Sequence, residues 1–122
     1  PLKERLSFED VNTICNCSKI YPIDLNPGLI NGLHIRIFDC IGSGILPLVE
    51  HSKDLDSVFK NVEIPSFKNL QEGPEIAKHY LQNNDERKST ILKLKEFIDL
   101  NYSADIAVEK ILRVYKENNG RA

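Results

Sequence analysis

Arg36 and Asp39 lie three residues apart in the stretch GLHIRIFDCIGSG, residues 32–44, with Gly32, Leu33 and His34 before them and Gly42 and Gly44 after. On a helix, that spacing puts both side chains on one flank. A guanidinium there can grip a phosphate, and a carboxylate can accept hydrogen bonds from ribose hydroxyls. Glycine beside them lets an anion approach the backbone closely. A helix beginning near Gly32 would aim the N–H groups of Gly32, Leu33 and His34 at such an anion, through orphan donors and the helix dipole. The same residues also have a plainer reading. Glycines in loops make turns, and an Arg and an Asp at helical spacing form a surface ion pair worth less than about 1 kcal/mol. No complete G-x-G-x-x-G or Walker pattern is present.

Periodicity leaves the conformation of this stretch open. Leu33, Ile35 and Ile37 alternate with His34 and Arg36, as in a half-buried strand, whereas Leu33, Ile37 and Ile41 recur every four residues, as on a helix face. The flanking segments bear on the choice. KIYPIDL reads as a strand over Ile20–Leu25, with Pro22 pushing it to a sheet edge. ILPLVE reads as a strand over Ile45–Val49, and its lack of polar alternation suits a sheet covered on both faces. A strand between them would make a hairpin and a mixed sheet, whereas a helix gives a crossover between parallel strands.

The other elements follow from caps and stripes. Ser7-Phe8-Glu9-Asp10 opens a short helix to about Asn16. NPGLING reads as a loop. SKDLDSVF is a helix with Leu55, Val58 and Phe59 on one side, and VEIPSF a short strand. Three helices close the chain. The first carries Ile76, Ala77, Tyr80 and Leu81 on one face, with Pro74 near its first turn. The second carries Ile91, Leu94 and Ile98. The third is capped by Ser103 and stopped by Gly120. Strands alternating with helices predict a parallel α/β sheet.

At 122 residues, a single domain is expected, and 41% apolar residues suffice for a modest core. A net charge of −2 with interspersed signs argues against a nucleic-acid groove or a polybasic membrane surface. No apolar run approaches the roughly 20 residues of a membrane span, and no signal peptide is read. Cys15, Cys17 and Cys40 form no disulfide framework and point to the reducing cytoplasm. Cys15 and Cys17 could begin a soft-metal site, but residues two apart on a helix do not share a face and no partner pair has zinc spacing, so no metal is expected. His51 and His79 read as single surface histidines.

NGLHIRIFDCIGSGILPLVE resembles the donor-binding segment of the two-domain, GT-B fold glycosyltransferases, in particular the group-one relatives of the spore-maturation glycosyltransferases. The family pattern is an acid and glycine, an apolar-Arg-apolar-Phe-acid run, small residues ending in glycine, then an apolar strand. The likeness rests on Asn31-Gly32, Ile35–Asp39, Cys40–Gly44 and Ile45–Val49, and continues through Asp54–Phe59, Val62–Ile64, Pro74–Leu81 and Asn84-Asp85-Glu86-Arg87, covering about Lys19 to Tyr115. It implies a three-layer, Rossmann-like α/β half domain with a short parallel sheet and C-terminal helices. It also implies that residues from about Gly32 to Cys40 are helical.

The implied function is binding of a nucleotide-diphosphate sugar, the donor substrate, with no other cofactor. The implied donor-binding residues are Asn31, Gly32, Leu33, His34, Arg36, Asp39, Gly42 and Gly44. Backbone amides from Gly32 to Ile35 would meet the diphosphate, and Asp39 would hold the ribose. Asn31 stands where the family usually has an acid near the donor sugar, a departure, since an amide cannot stabilise positive charge at the anomeric carbon. Residues 1–122 then correspond to the last part of such an enzyme, a single partial domain. Its expected partner is an N-terminal acceptor domain that supplies the catalytic base, so the isolated chain is expected to be inactive. The competing expectation is a non-catalytic α/β interaction module derived from such a domain. A receiver-like regulatory domain is disfavoured, because no acidic pair follows a first apolar strand.

Overall fold

The computed structural model describes residues 5–25, 28 and 31–120. Asn26, Pro27, Leu29 and Ile30, which the sequence places in a loop, lie outside the described residues. The order is α1 (Phe8–Cys17), β1 (Ile20–Ile23), α2 (Arg36–Gly42), β2 (Leu46–Glu50), α3 (Lys53–Val58), β3 (Ser66–Phe67), α4 (Glu72–Gln82), α5 (Asn84–Asn101) and α6 (Ala104–Asn119). The three strands form one parallel sheet in the order β1-β2-β3, with Ile20 opposite Leu46 and Val49 opposite Ser66. This is the α/β arrangement expected of a Rossmann-like half domain, with helices at the C-terminal end.

The central strand explains the sheet. Every residue from Leu46 to Val49 is buried, as its unbroken apolar run requires of a strand covered on both faces. Pro47 sits inside it without a backbone donor. Leu46 donates to the Lys19 carbonyl on the β1 side and Val49 to the Pro65 carbonyl on the β3 side. Alternation puts Pro47 on the β3 side, before pairing with β3 begins at Val49, so no ladder bond is lost. Pro22 lies exposed on the edge strand β1, as its chemistry requires.

Helix α2 is the crossover between β1 and β2, so the strand reading of Leu33–Phe38 does not hold. The helix starts at Arg36, not near Gly32. Gly32 has φ +111°, which no helix contains, and the ring Nδ1 of His34 accepts the Arg36 N–H at 3.1 Å. At the other end, Ile45 N–H donates to Cys40 O at 2.9 Å and Gly44 N–H to Ile41 O at 3.1 Å, with Gly44 at φ +76°. These two bonds and a left-handed glycine form a Schellman stop, and buried Cys40 and Ile45 supply its apolar contact.

The third strand occupies only the end of the expected VEIPSF segment. Val62 and Ile64 pack on the core from irregular backbone, while pairing falls on Ser66 and Phe67. The ladder here uses the carbonyls of Pro65 and Phe67, accepting from Val49 and His51, so the proline needs no donor. Strand β1 is likewise shorter than Ile20–Leu25, ending at Ile23.

The core joins Ile37, Cys40 and Ile41 of α2 to Leu46 and Val49 of β2, Leu55 of α3, Tyr80 of α4 and Leu94 of α5. Phe38, Phe59, Phe97 and Tyr102 form a ring cluster with centroids 5.7–6.1 Å apart, tying α2 and the end of α3 to α5. Leu81, expected on the inner face of α4, is instead half exposed. Arg87 is buried, donating to the Tyr80 carbonyl at 3.0 Å and to the Asn84 side chain. Its cation thus meets carbonyl dipoles of the α4 C-terminal turn, where positive charge is favoured. Helix α6 has the Ser103 cap, which accepts from the Ile106 N–H, and it buries no residue. Among the described residues, no helix is long and apolar enough to cross a membrane.

Candidate functional site

Two clefts meet at α2. The first, about 350 Å³, lies between α1 and α2 and is lined by Asn12 and Cys15 of α1 and by Arg36, Phe38, Asp39 and Gly42. The second, about 490 Å³, lies between the loop before α2 and helix α3. Asn31, Gly32 and Leu33 line it on one side, Asp54, Ser57 and Val58 on the other, with Phe38 shared between the two clefts. The residues singled out from sequence are therefore divided. Arg36, Asp39 and Gly42 belong to the first cleft, Asn31, Gly32 and Leu33 to the second.

His34 and Gly44 line neither cleft. His34 fixes the first turn of α2 through its Nδ1, and Gly44 closes the last. A Cβ built on Gly44 meets nothing within 4 Å, so its left-handed φ, not close approach, calls for glycine. Gly42 is helical and equally open, so neither φ nor space requires glycine there.

Two features change the electrostatic picture drawn from sequence. Arg36 and Asp39 are not an ion pair; the salt bridges among the described residues are His51 with Asp56 at 3.0 Å and His79 with Glu86 at 2.9 Å. Both side chains of the Arg36–Asp39 pair therefore face the first cleft with their charge uncommitted to each other. Two backbone amides of the loop after β1, by contrast, are already engaged. Gly32 N–H donates to the Asp54 carboxylate, and Leu25 N–H donates to Glu50 at 2.8 Å. Two acids of the β2–α3 segment thus hold the loop after β1 at both ends. With α2 only two turns long and its first free N–H taken by His34, the row of amides expected at Gly32–His34 does not exist as a helix terminus.

Below the first cleft, burial pushes the Cys40 thiol up to about 11, with Cys15 and Asp39 adding to the effect and Arg36 opposing it. A thiol so buried stays protonated and packs as a small hydrophobe. Among the described residues, no three His, Cys, Asp or Glu side chains gather as a metal cage.

Residues 2–113 match the family described as glycosyl transferase-like. The chain belongs to that family. No curated protein and no solved structure matches it. In this glycosyltransferase-like domain, Asp54 and Ser57 line the second cleft, although the sequence does not single them out. An acid in the first turn of a helix is ordinarily read as a dipole partner. Its contact with Gly32, 22 residues earlier, exists only in the fold.

Proposed function

We propose that this glycosyltransferase-like chain is the donor-binding part of a GT-B fold enzyme of the group-one, spore-maturation-like kind, and that it takes a nucleotide-diphosphate sugar. The observation that carries the reading is the family match over residues 2–113. The cleft beside α2 supports it, because Arg36 and Asp39 line one wall without neutralising each other.

In this reading Asp39 accepts hydrogen bonds from the ribose hydroxyls and Arg36 grips the diphosphate. The segment Asn31–Leu33 meets the sugar end, Gly42 lines the first cleft beside Asp39, and Gly44 ends α2. Catalysis in the intact enzyme needs an acceptor domain for nucleophile and base. This chain's contribution is to orient the donor and offset charge on the departing diphosphate. Three free cysteines suit a cytoplasmic setting.

The test is calorimetric titration of the chain with a nucleoside diphosphate and with inorganic pyrophosphate. Asp39→Ala is expected to weaken the nucleotide about tenfold to a hundredfold, the worth of one charged hydrogen bond, and to leave pyrophosphate unchanged. Equal affinity of wild type and variant for the nucleotide, or no nucleotide binding by either, would overturn the reading.

A further inference from the structure

Resting on the donor reading above, we infer that Asp54 recognises the donor's sugar, supplying from α3 the carboxylate that the loop lacks at Asn31. The second cleft has the chemistry of a sugar site. Its walls are Leu33, Phe38 and Val58, and its polar groups are the Asn31 amide, the Ser57 hydroxyl and the Asp54 carboxylate. That combination suits a neutral ring with C–H faces and several hydroxyls. Apolar walls meet the C–H faces, while a carboxylate and an amide take hydroxyl protons. Among the described residues no lysine or arginine lines this cleft, so no cation there offsets the repulsion of a phosphate by the Asp54 carboxylate. The cationic partner for an anion is Arg36, which lines the other cleft, and Phe38 lines both. The two clefts therefore divide a nucleotide sugar between them, with the charged half beside Arg36 and Asp39 and the neutral half beside Asp54.

Asp54 is held for this task. One carboxylate oxygen accepts the Gly32 N–H, which fixes the side chain across the cleft next to Asn31 and leaves the other oxygen to accept from a hydroxyl. The Ser57 hydroxyl donates its proton to the Lys53 carbonyl at 2.9 Å, so its oxygen faces a ligand as an acceptor. At Asp54 and Ser57 donation therefore comes from the sugar, and a deoxy sugar loses affinity where the missing hydroxyl faced Asp54.

The test compares two ligands on three proteins. Wild type, Asp54→Ala and Asp54→Asn are titrated with a nucleoside diphosphate and with the corresponding nucleotide hexose. Asp54→Ala is expected to weaken the nucleotide hexose about tenfold or more while changing the nucleoside diphosphate less than about twofold. Asp54→Asn, which can still accept from Gly32, is expected to fall between. If both ligands weaken together, Asp54 only holds the loop and the inference is overturned; it is overturned equally if neither changes. If wild type binds no nucleoside diphosphate, the donor reading itself has failed. A free hexose titration followed at the amides of Gly32, Asp54 and Ser57 then decides the cleft alone, shifts supporting sugar recognition and their absence removing it.

Discussion

Helix α2 is seven residues long, has no Ser, Thr, Asp or Asn at its N-cap, and buries Ile37, Cys40 and Ile41 to within 2% of full enclosure. Helix α6 is sixteen residues long, carries the Ser103 cap, Asp105 in its first turn and Lys116 in its last, and buries nothing. Along α6, Val108, Ile111, Leu112 and Tyr115 form an apolar stripe that stays half exposed or more. A seven-residue helix does not form alone in water, so α2 exists because β1, β2 and α5 surround it. Helix α6 has the local signals and lacks the packing. The comparison bears on function. The side chains proposed to hold the donor ride on the helix whose rotation and depth are set by the core, which is where a precise site belongs.

The sharpest way to break this comparison is to remove packing from α2. Ile37→Ala is expected to cost about 2–5 kcal/mol of stability, read as a shift in the denaturant midpoint. A loss below about 1 kcal/mol would mean that α2 does not depend on its burial. Chemical reactivity separates the regions by a smaller margin. With its thiol pushed up to about 11, Cys40 is thiolate in only about one molecule in a thousand at pH 8. Iodoacetamide followed by mass spectrometry is expected to label exposed Cys17 first and to reach Cys40 only on unfolding. The smallest effect belongs to α6. Ile111→Ser, at a position 68% exposed, is expected to change stability by no more than about 0.5 kcal/mol. A loss of several kcal/mol in the same titration would show that the apolar stripe of α6 is covered in solution.

Much of the fold was legible because its signals are local. The Ser7 and Ser103 caps, the apolar run Ile45–Val49 and the stripe through Leu94 each specify an element on their own. The start of α2 was not legible: β-branched residues run through Ile35 and Ile37, and only the conformation of Gly32 shows that helix is impossible there. The third strand lies within VEIPSF but is only two residues long, because pairing is decided by where Pro65 presents its carbonyl to Val49. For the site, Arg36 and Asp39 were read correctly as neighbours on one flank, since three residues on a helix fix that relation. Their separation from Asn31, Gly32 and Leu33 was beyond reach, because it depends on Phe38 standing between two clefts. Periodicity also says that α6 has an apolar face, without saying what covers it.

The most direct measurement is an amide-shift titration of the whole chain with a nucleoside diphosphate. The signals expected to move most are those of Arg36 to Ser43, beside the first cleft, with α6 unmoved from Ala104 to Asn119. Shifts confined to α5 and α6, with Arg36 and Asp39 silent at saturation, would contradict it.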